Sequence, residues 1–148
     1  MTYGLFPFFY FCKMNITYQT KKEIPLPQLL HLYNAHNWTT YTKEPIQLQK
    51  AIENSHFVLT AWDKGNLVGL ARAISDDVSI FYLQDIIVLP TYEGKGIGQT
   101  LLKKCLERYQ HVRQQVLMTD NDERVLRFYE KMGYTNLKEK GELNVFVF

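Results

Sequence analysis

Three glycines at alternate positions, Gly94, Gly96 and Gly98, follow the apolar run from Leu83 to Leu89 and open a segment whose apolar residues recur at helical spacing. Glycine has no Cβ, so successive N–H groups there can converge on one point, and a helix start adds the positive end of its dipole. The chemistry of such a junction is anion binding, and the ligand it suits is a phosphate. Spacing discriminates among phosphate cradles. A dinucleotide fingerprint would need its third glycine at Gln99 or Leu101, and a Walker loop would need Ser or Thr after Lys95, where Gly96 stands. Two further residues can carry chemistry. Asp85 interrupts the apolar run, and a carboxylate there must be hydrogen-bonded, must titrate high or must hold a cation. A purely structural hydrogen bond to a neighbouring loop or strand serves it equally well. Tyr129 bears a phenol that stays a proton donor at neutral pH, although its helical spacing alone makes it a core ring with a hydroxyl at the surface.

These groups need a scaffold, and hydrophobic periodicity outlines it. Ile16 to Gln19 predicts a short strand, and Leu26, Leu29, Leu30 and Tyr33 predict a helix behind Pro25 and Pro27. The polar and aromatic stretch from His36 to Thr42 reads as a loop, followed by a second helix from about Pro45 to Ser55. Phe57 to Trp62 and Leu67 to Ala73 flank Asp63-Lys64-Gly65-Asn66, a hairpin in which glycine and asparagine tolerate positive φ. Ser79 to Leu89 is the longest strand. Ile97, Leu101, Leu102, Cys105, Leu106 and Tyr109 form the stripe of the helix after the glycines, and Cys105 on that stripe reads as a buried small hydrophobe. Gln115 to Thr119 predicts a strand, and Asp120-Asn121-Asp122 caps a helix carrying Val125, Leu126, Phe128, Tyr129 and Met132, with Gly133 as its stop. Tyr134 to Leu137 and Leu143 to Phe148 predict a last hairpin. The fold class is α/β, a mixed central β-sheet flanked by helices in the order βααβββαβαββ.

Glu93-Gly94-Lys95-Gly96-Ile97-Gly98 resembles the pyrophosphate arm of the GNAT acetyltransferases, whose pattern is Gln or Arg, two residues, Gly, one residue, then Gly or Ala. Glu93 departs from it, and is expected to turn to solvent with Lys95 offsetting its charge. Asp122-x-x-Val125-x-x-Phe128-Tyr129-Glu130-Lys131-x-Gly133-Tyr134 resembles the family's Asn-x-x-Ala-x-x-Phe-Tyr-x-x-x-Gly-Phe helix, with Asp for Asn and Val for Ala. The element order is similar to that of the GNAT fold, over residues 14–148. The resemblance implies an N-acetyltransferase that uses acetyl-CoA. Its pyrophosphate would lie on Glu93, Gly94, Lys95, Gly96, Ile97, Gly98, Gln99 and Thr100. The pantetheine would pair like an added strand with the main chain of Ile86, Ile87 and Val88, where two central strands splay. The Val88 N–H would be the oxyanion donor, Tyr129 the acid that protonates the leaving thiolate, and Asp85 the group that assists deprotonation or holds the acceptor ammonium. Gln84-Asp85 is similar to the Glu-Asp pair of the family's amino-sugar enzymes. Asn121 lies where it can touch CoA or the acceptor, or serve only as a capping group.

Composition narrows the rest. With 148 residues, 46% hydrophobic and 22% charged, the chain suits one domain with a real core. A net charge of +2 with scattered Lys and Arg argues against a nucleic-acid surface. Cys12 and Cys105 make no disulfide framework, and His31, His36, His56 and His111 show no zinc spacing, so no metal is expected. Residues 1–13 hold an aromatic cluster, Tyr3, Phe6, Phe8, Phe9, Tyr10 and Phe11, without a cationic region or cleavage site and far short of the roughly 20 residues that span a bilayer. They read as an N-terminal extension outside the domain of residues 14–148; the alternative, an added strand packed on a neighbouring copy, would make the protein a homodimer. The expectation is a cytoplasmic enzyme acetylating a small primary amine held near Tyr33, Trp38, Tyr41 and Arg72, with no membrane or nucleic-acid partner. A CoA-binding regulatory module without catalysis and a protein lysine or N-terminal acetyltransferase are the alternatives.

Overall fold

The structure is a computed structural model that describes residues 14–141. Five strands form one sheet in the order β1-β2-β3-β4-β5. β1 (Ile16–Gln19), β2 (Phe57–Asp63), β3 (Asn66–Ser75) and β4 (Ile80–Val88) are successively antiparallel, and β5 (Gln114–Leu117) joins β4 in parallel. A parallel neighbour needs a crossover, and α4 (Ile97–Arg108) supplies it. The β2–β3 hairpin turns on Lys64 (φ 49°) and Gly65 (φ 82°), so Lys64 rather than Asn66 takes the other left-handed position.

β3 is buried from Leu67 to Ala73, as expected of a central strand covered on both faces. One cover is α4, through Ile97, Leu101, Leu102 and Cys105; it packs so closely that a Cβ on Gly69 would stand 3.2 Å from Leu101 Cδ1. Burial pushes the Cys105 thiol up to about 12, consistent with an inert packing group. The other cover comes from α1 (Leu26–Asn34), with Leu29, Leu32 and Tyr33 buried, and α3 (Pro45–Asn54), with Leu48 and Ile52 buried. Between them a single turn, α2 (Thr39–Thr42), forms inside the stretch predicted as loop.

A bulge in β4 decides where Asp85 points. Arg72 pairs with Asp85 but Ala73 pairs with Leu83, leaving Gln84 as the extra residue. Residues directly opposite in a ladder share a face, so Leu83 joins Ala73 and Phe57 on the side that meets Tyr109 at the end of α4. Asp85 instead joins Arg72 on the α1 side. Without the bulge, residues two apart would face the same way.

The helix α5 (Glu123–Lys131) ends as predicted at Gly133 (φ 96°), but the strand expected over Tyr134 to Leu137 is not formed. The Tyr134 N–H donates to Tyr129 O at 3.0 Å and its ring packs on Tyr129, which folds the chain back onto α5. Asn136 then caps a single turn, α6 (Leu137–Lys140), by accepting from Lys138 N at 3.1 Å. Leu143 to Phe148 and residues 1–13 lie outside the described residues. Among those described, no helix is long and apolar enough to cross a membrane.

Candidate active site

The glycine arm follows a short 3-10 turn, Pro90–Tyr92. Gly94 (φ 70°) and Gly96 (φ 82°) both occupy the left-handed region, where a side chain is strained, and Gly96 is the N-cap of α4. No side chain caps α4, so its first-turn N–H groups remain for an anion. Thr100 is tied back to this turn, its Oγ1 donating to Gly96 O at 2.9 Å. The third glycine works differently. A Cβ on Gly98 would touch Val88 Cγ2 at 3.7 Å and Phe128 Cζ at 3.8 Å, so β4, α4 and α5 meet at this point.

The charges around the arm differ from the expectation. Lys95 does not pair with Glu93: its Nζ donates to Thr91 O at 2.8 Å and lies 5.1 Å from the Tyr92 ring centre. Glu93 does not turn to solvent either. Its side chain is one-third exposed, with Oε2 accepting from Arg124 Nη1 at 3.0 Å and Oε1 3.7 Å from His36 Nε2. The offsetting cation thus comes from α5, because Lys95 has a carbonyl and an aromatic face within its own turn.

Beside the arm, β4 has an open backbone edge. The Leu89 N–H donates to Val68 O at 2.9 Å, so in the alternation of an antiparallel ladder Ile87 also bonds toward β3, while the N–H and C=O groups of Ile86 and Val88 point away from it. On that other side β5 pairs only as far as Leu83. The sheet therefore splays beyond Leu83. Of the three residues expected to offer main chain, Ile86 and Val88 face the opening and Ile87 does not. The imidazole Nε2–H of His36 donates to Val88 O at 2.6 Å, which ties down the Val88–Leu89 peptide, the one that follows the Val88 N–H.

Asp85 is buried and fully partnered. Oδ2 accepts from Tyr33 Oη at 2.9 Å and from Arg72 Nε; Oδ1 accepts from Tyr41 Oη at 3.0 Å, and Gln84 Nε2 donates to that same phenol at 3.2 Å. Burial opposes the charge of Arg72, but Asp85 beside it more than offsets this and holds the guanidinium above its usual value. Burial and then the Asp85 charge raise Tyr33 and Tyr41. The cation that a buried carboxylate demands is thus internal. Replacing Asp85 by Asn strands Arg72, and breaking a buried pair from one side costs about 3–5 kcal/mol. Chemical denaturation of Asp85→Asn should show a loss of that order; a loss below about 1 kcal/mol, the size of an exposed ion pair, would mean the pair is not the buried structural link described.

Tyr129 stands on α5, which Asp122 caps by accepting from Arg124 N at 2.9 Å and Val125 N at 3.1 Å, with Asn121 exposed one residue earlier. Its half-buried ring meets Phe128 and Tyr134 edge-on, and burial, reinforced by the Asp85 charge, pushes its phenol up to about 12. Burial, then Tyr129, does the same to Tyr134. A group whose folded pKa is raised stabilises below its unfolded pKa and loses that contribution as pH rises through the folded value. Stability should therefore decline as pH rises from 10 through about 12, where these two neighbouring phenols ionise. Urea unfolding at about pH 8 and about pH 11.5 tests this, and equal stabilities would contradict it.

Glu93 to Thr100, Ile86, Val88 and, through Phe128, the α5 helix with Tyr129 are thus brought to one end of β4. Sequence reasoning missed His36 and Arg124 and left the partner of Asp85 unnamed, because their contacts span 52, 31 and 13 residues respectively. Only the position of Arg124 in a motif-bearing helix carried a signal.

A family model described as the acetyltransferase (GNAT) family matches residues 25–134, and the chain belongs to that family. An uncharacterized N-acetyltransferase, ycf52, of Pyropia yezoensis is 26% identical over 125 residues, covering 81% of this chain and 70% of that protein. A GNAT-family acetyltransferase from Streptococcus pneumoniae superposes with a TM-score of 0.79 at 32% identity, over 90% of this chain and 97% of that one. The PaiA N-acetyltransferase of Thermoplasma acidophilum, solved in complex with coenzyme A, shares the fold at a TM-score of 0.67 and 18% identity, over 82% of this chain and 91% of that one. The protein is an acetyl-CoA-dependent N-acetyltransferase.

Proposed function

We propose that the protein transfers the acetyl group of acetyl-CoA directly to a primary amine of a small molecule within a ternary complex. The observation that carries this reading is the open backbone edge formed by Ile86 and the Val88 N–H, which adjoins both the glycine arm and the α5 helix bearing Tyr129. A pantetheine chain can add to that edge as a strand would, with its pyrophosphate on the amides from Gly94 to Thr100. The thioester carbonyl then meets the Val88 N–H.

The amine nitrogen attacks the carbonyl carbon, and charge builds on an oxygen that the Val88 N–H stabilises. The C–S bond breaks, the CoA thiolate takes the proton of Tyr129, and the nitrogen, positively charged after attack, releases one proton to solvent as the amide forms. The substrate ammonium loses its own proton to solvent before attack, and the phenolate is reprotonated from solvent afterwards. His36 acts as a positioning residue because it holds the Val88 carbonyl. Asp85, its oxygens taken by Arg72, Tyr33 and Tyr41, acts through Tyr41, whose half-buried phenol can accept the amine.

A small acceptor is favoured by the aromatic wall beside this opening. Half-buried Trp38 and Tyr41, with ring centres 6.0 Å apart and both packed edge-on against the buried Tyr33, offer an aromatic surface better suited to a small molecule than to an extended peptide. Acetyl-CoA-dependent thiol release should be measured with aryl and alkyl monoamines, amino sugars, polyamines and lysine peptides. Turnover with a small amine well above that with any peptide is expected; the reverse order would replace this reading with a protein acetyltransferase.

A further inference from the structure

The carboxylate of Glu93 stands one residue before the phosphate cradle, where it would repel a pyrophosphate unless something is gained by it. What it holds is Arg124. The guanidinium has five N–H donors in a planar fork, and the contact with Glu93 Oε2 at 3.0 Å engages one nitrogen. The Arg124 side chain is 77% exposed, so its remaining donors stay open to solvent beside the residue that precedes the arm. Its main chain is also fixed, because the Arg124 N–H is one of the two that Asp122 accepts at the start of α5.

The helix places this side chain with respect to the cradle. Phe128 touches the position of Gly98 in the first turn of α4, and Arg124 lies four residues earlier on the same helical face, about 6 Å further along. The start of α5 is therefore beside the start of α4. Lys95 and Arg124 are the cations of this rim, and Glu93 together with Asp122 and Glu123 at the start of α5 are its carboxylates, so a phosphate would be recognised here by the placement of donors and not by net charge.

We propose that Arg124 is a ligand for a CoA phosphate in this protein and that Glu93 is its positioning residue. The departure at Glu93 from the family pattern is then compensated from α5. This rests on the reading of the arm as the CoA site. CoA affinity should be measured by calorimetry on Arg124→Gln, Arg124→Lys, the double variant Glu93→Gln with Arg124→Gln, and Gly96→Glu, each checked for native circular dichroism. Arg124→Gln should weaken CoA about tenfold, the usual size of a lost charge-assisted contact, with Arg124→Lys recovering part of it. The double variant is decisive. If Arg124 binds phosphate, the double variant regains only what relief of the Glu93 repulsion returns and stays clearly weaker than wild type; if Arg124 merely cancels Glu93, removing both charges restores wild-type affinity and the proposal falls. Unchanged affinity in Arg124→Gln also overturns it, and does so without touching the arm as long as Gly96→Glu still loses CoA.

Discussion

Tyr129→Phe is expected to lower turnover by about 10²- to 10⁴-fold, the usual worth of general acid catalysis, while leaving CoA affinity and folding stability near wild type. The substitution removes a hydroxyl and keeps the ring, so the edge-on contacts with Phe128 and Tyr134 survive. What disappears is the proton for the departing thiolate. Because burial and Asp85 hold this phenol at about 12, it is a donor throughout the working pH range, and no alkaline loss of turnover below about pH 10 should be traceable to it. Steady-state kinetics with a good amine, under conditions where chemistry limits the rate, provide the check. Turnover within a factor of about three of wild type would remove Tyr129 from the chemistry and leave solvent as the acid.

The second large effect belongs to Gly96→Glu. The φ of 82° at Gly96 strains any L side chain, at a cost of order 1–2 kcal/mol, although open space around a built Cβ means that nothing else must move. The variant should therefore fold, slightly destabilised, with a carboxylate at the mouth of the cradle. Like-charge contact at a binding surface costs several kcal/mol, so CoA affinity should fall by about 100-fold or more. Gly96→Ala separates the two causes, since it adds the strain without the charge. Calorimetry showing wild-type CoA affinity in a folded Gly96→Glu protein would move the phosphate site elsewhere.

What could be read from the sequence follows the range of the interactions involved. The arm and the start of α4 are local: the glycines at 94 and 96 adopt positive φ because of their own stereochemistry, and the α4 stripe from Ile97 to Cys105 is buried as its spacing predicts. The cap at Asp122 and the stop at Gly133 are equally local. Asp85 was legible only as a question. Its spacing marks a carboxylate needing a partner, but the answer depends on a bulge at Gln84 that brings it to the face of Arg72, and on a phenol 52 residues away. Glu93 misled for the same reason, because the nearest cation in sequence, Lys95, is spent on its own turn while Arg124 arrives from another element. The strand predicted at Tyr134 fails because a ring contact and a backbone hydrogen bond to Tyr129 outweigh a weak strand propensity followed by Asn136 and good helix formers.

The most direct measurement of acetyl transfer at this site is two-substrate kinetics of thiol release, varying acetyl-CoA and the best amine together, with the mass of the protein followed after acetyl-CoA alone. Direct attack in a ternary complex predicts intersecting double-reciprocal lines and a protein that never gains an acetyl group without acceptor. Parallel lines with an acetylated enzyme would contradict it, since no covalent intermediate belongs to attack on a thioester held along β4.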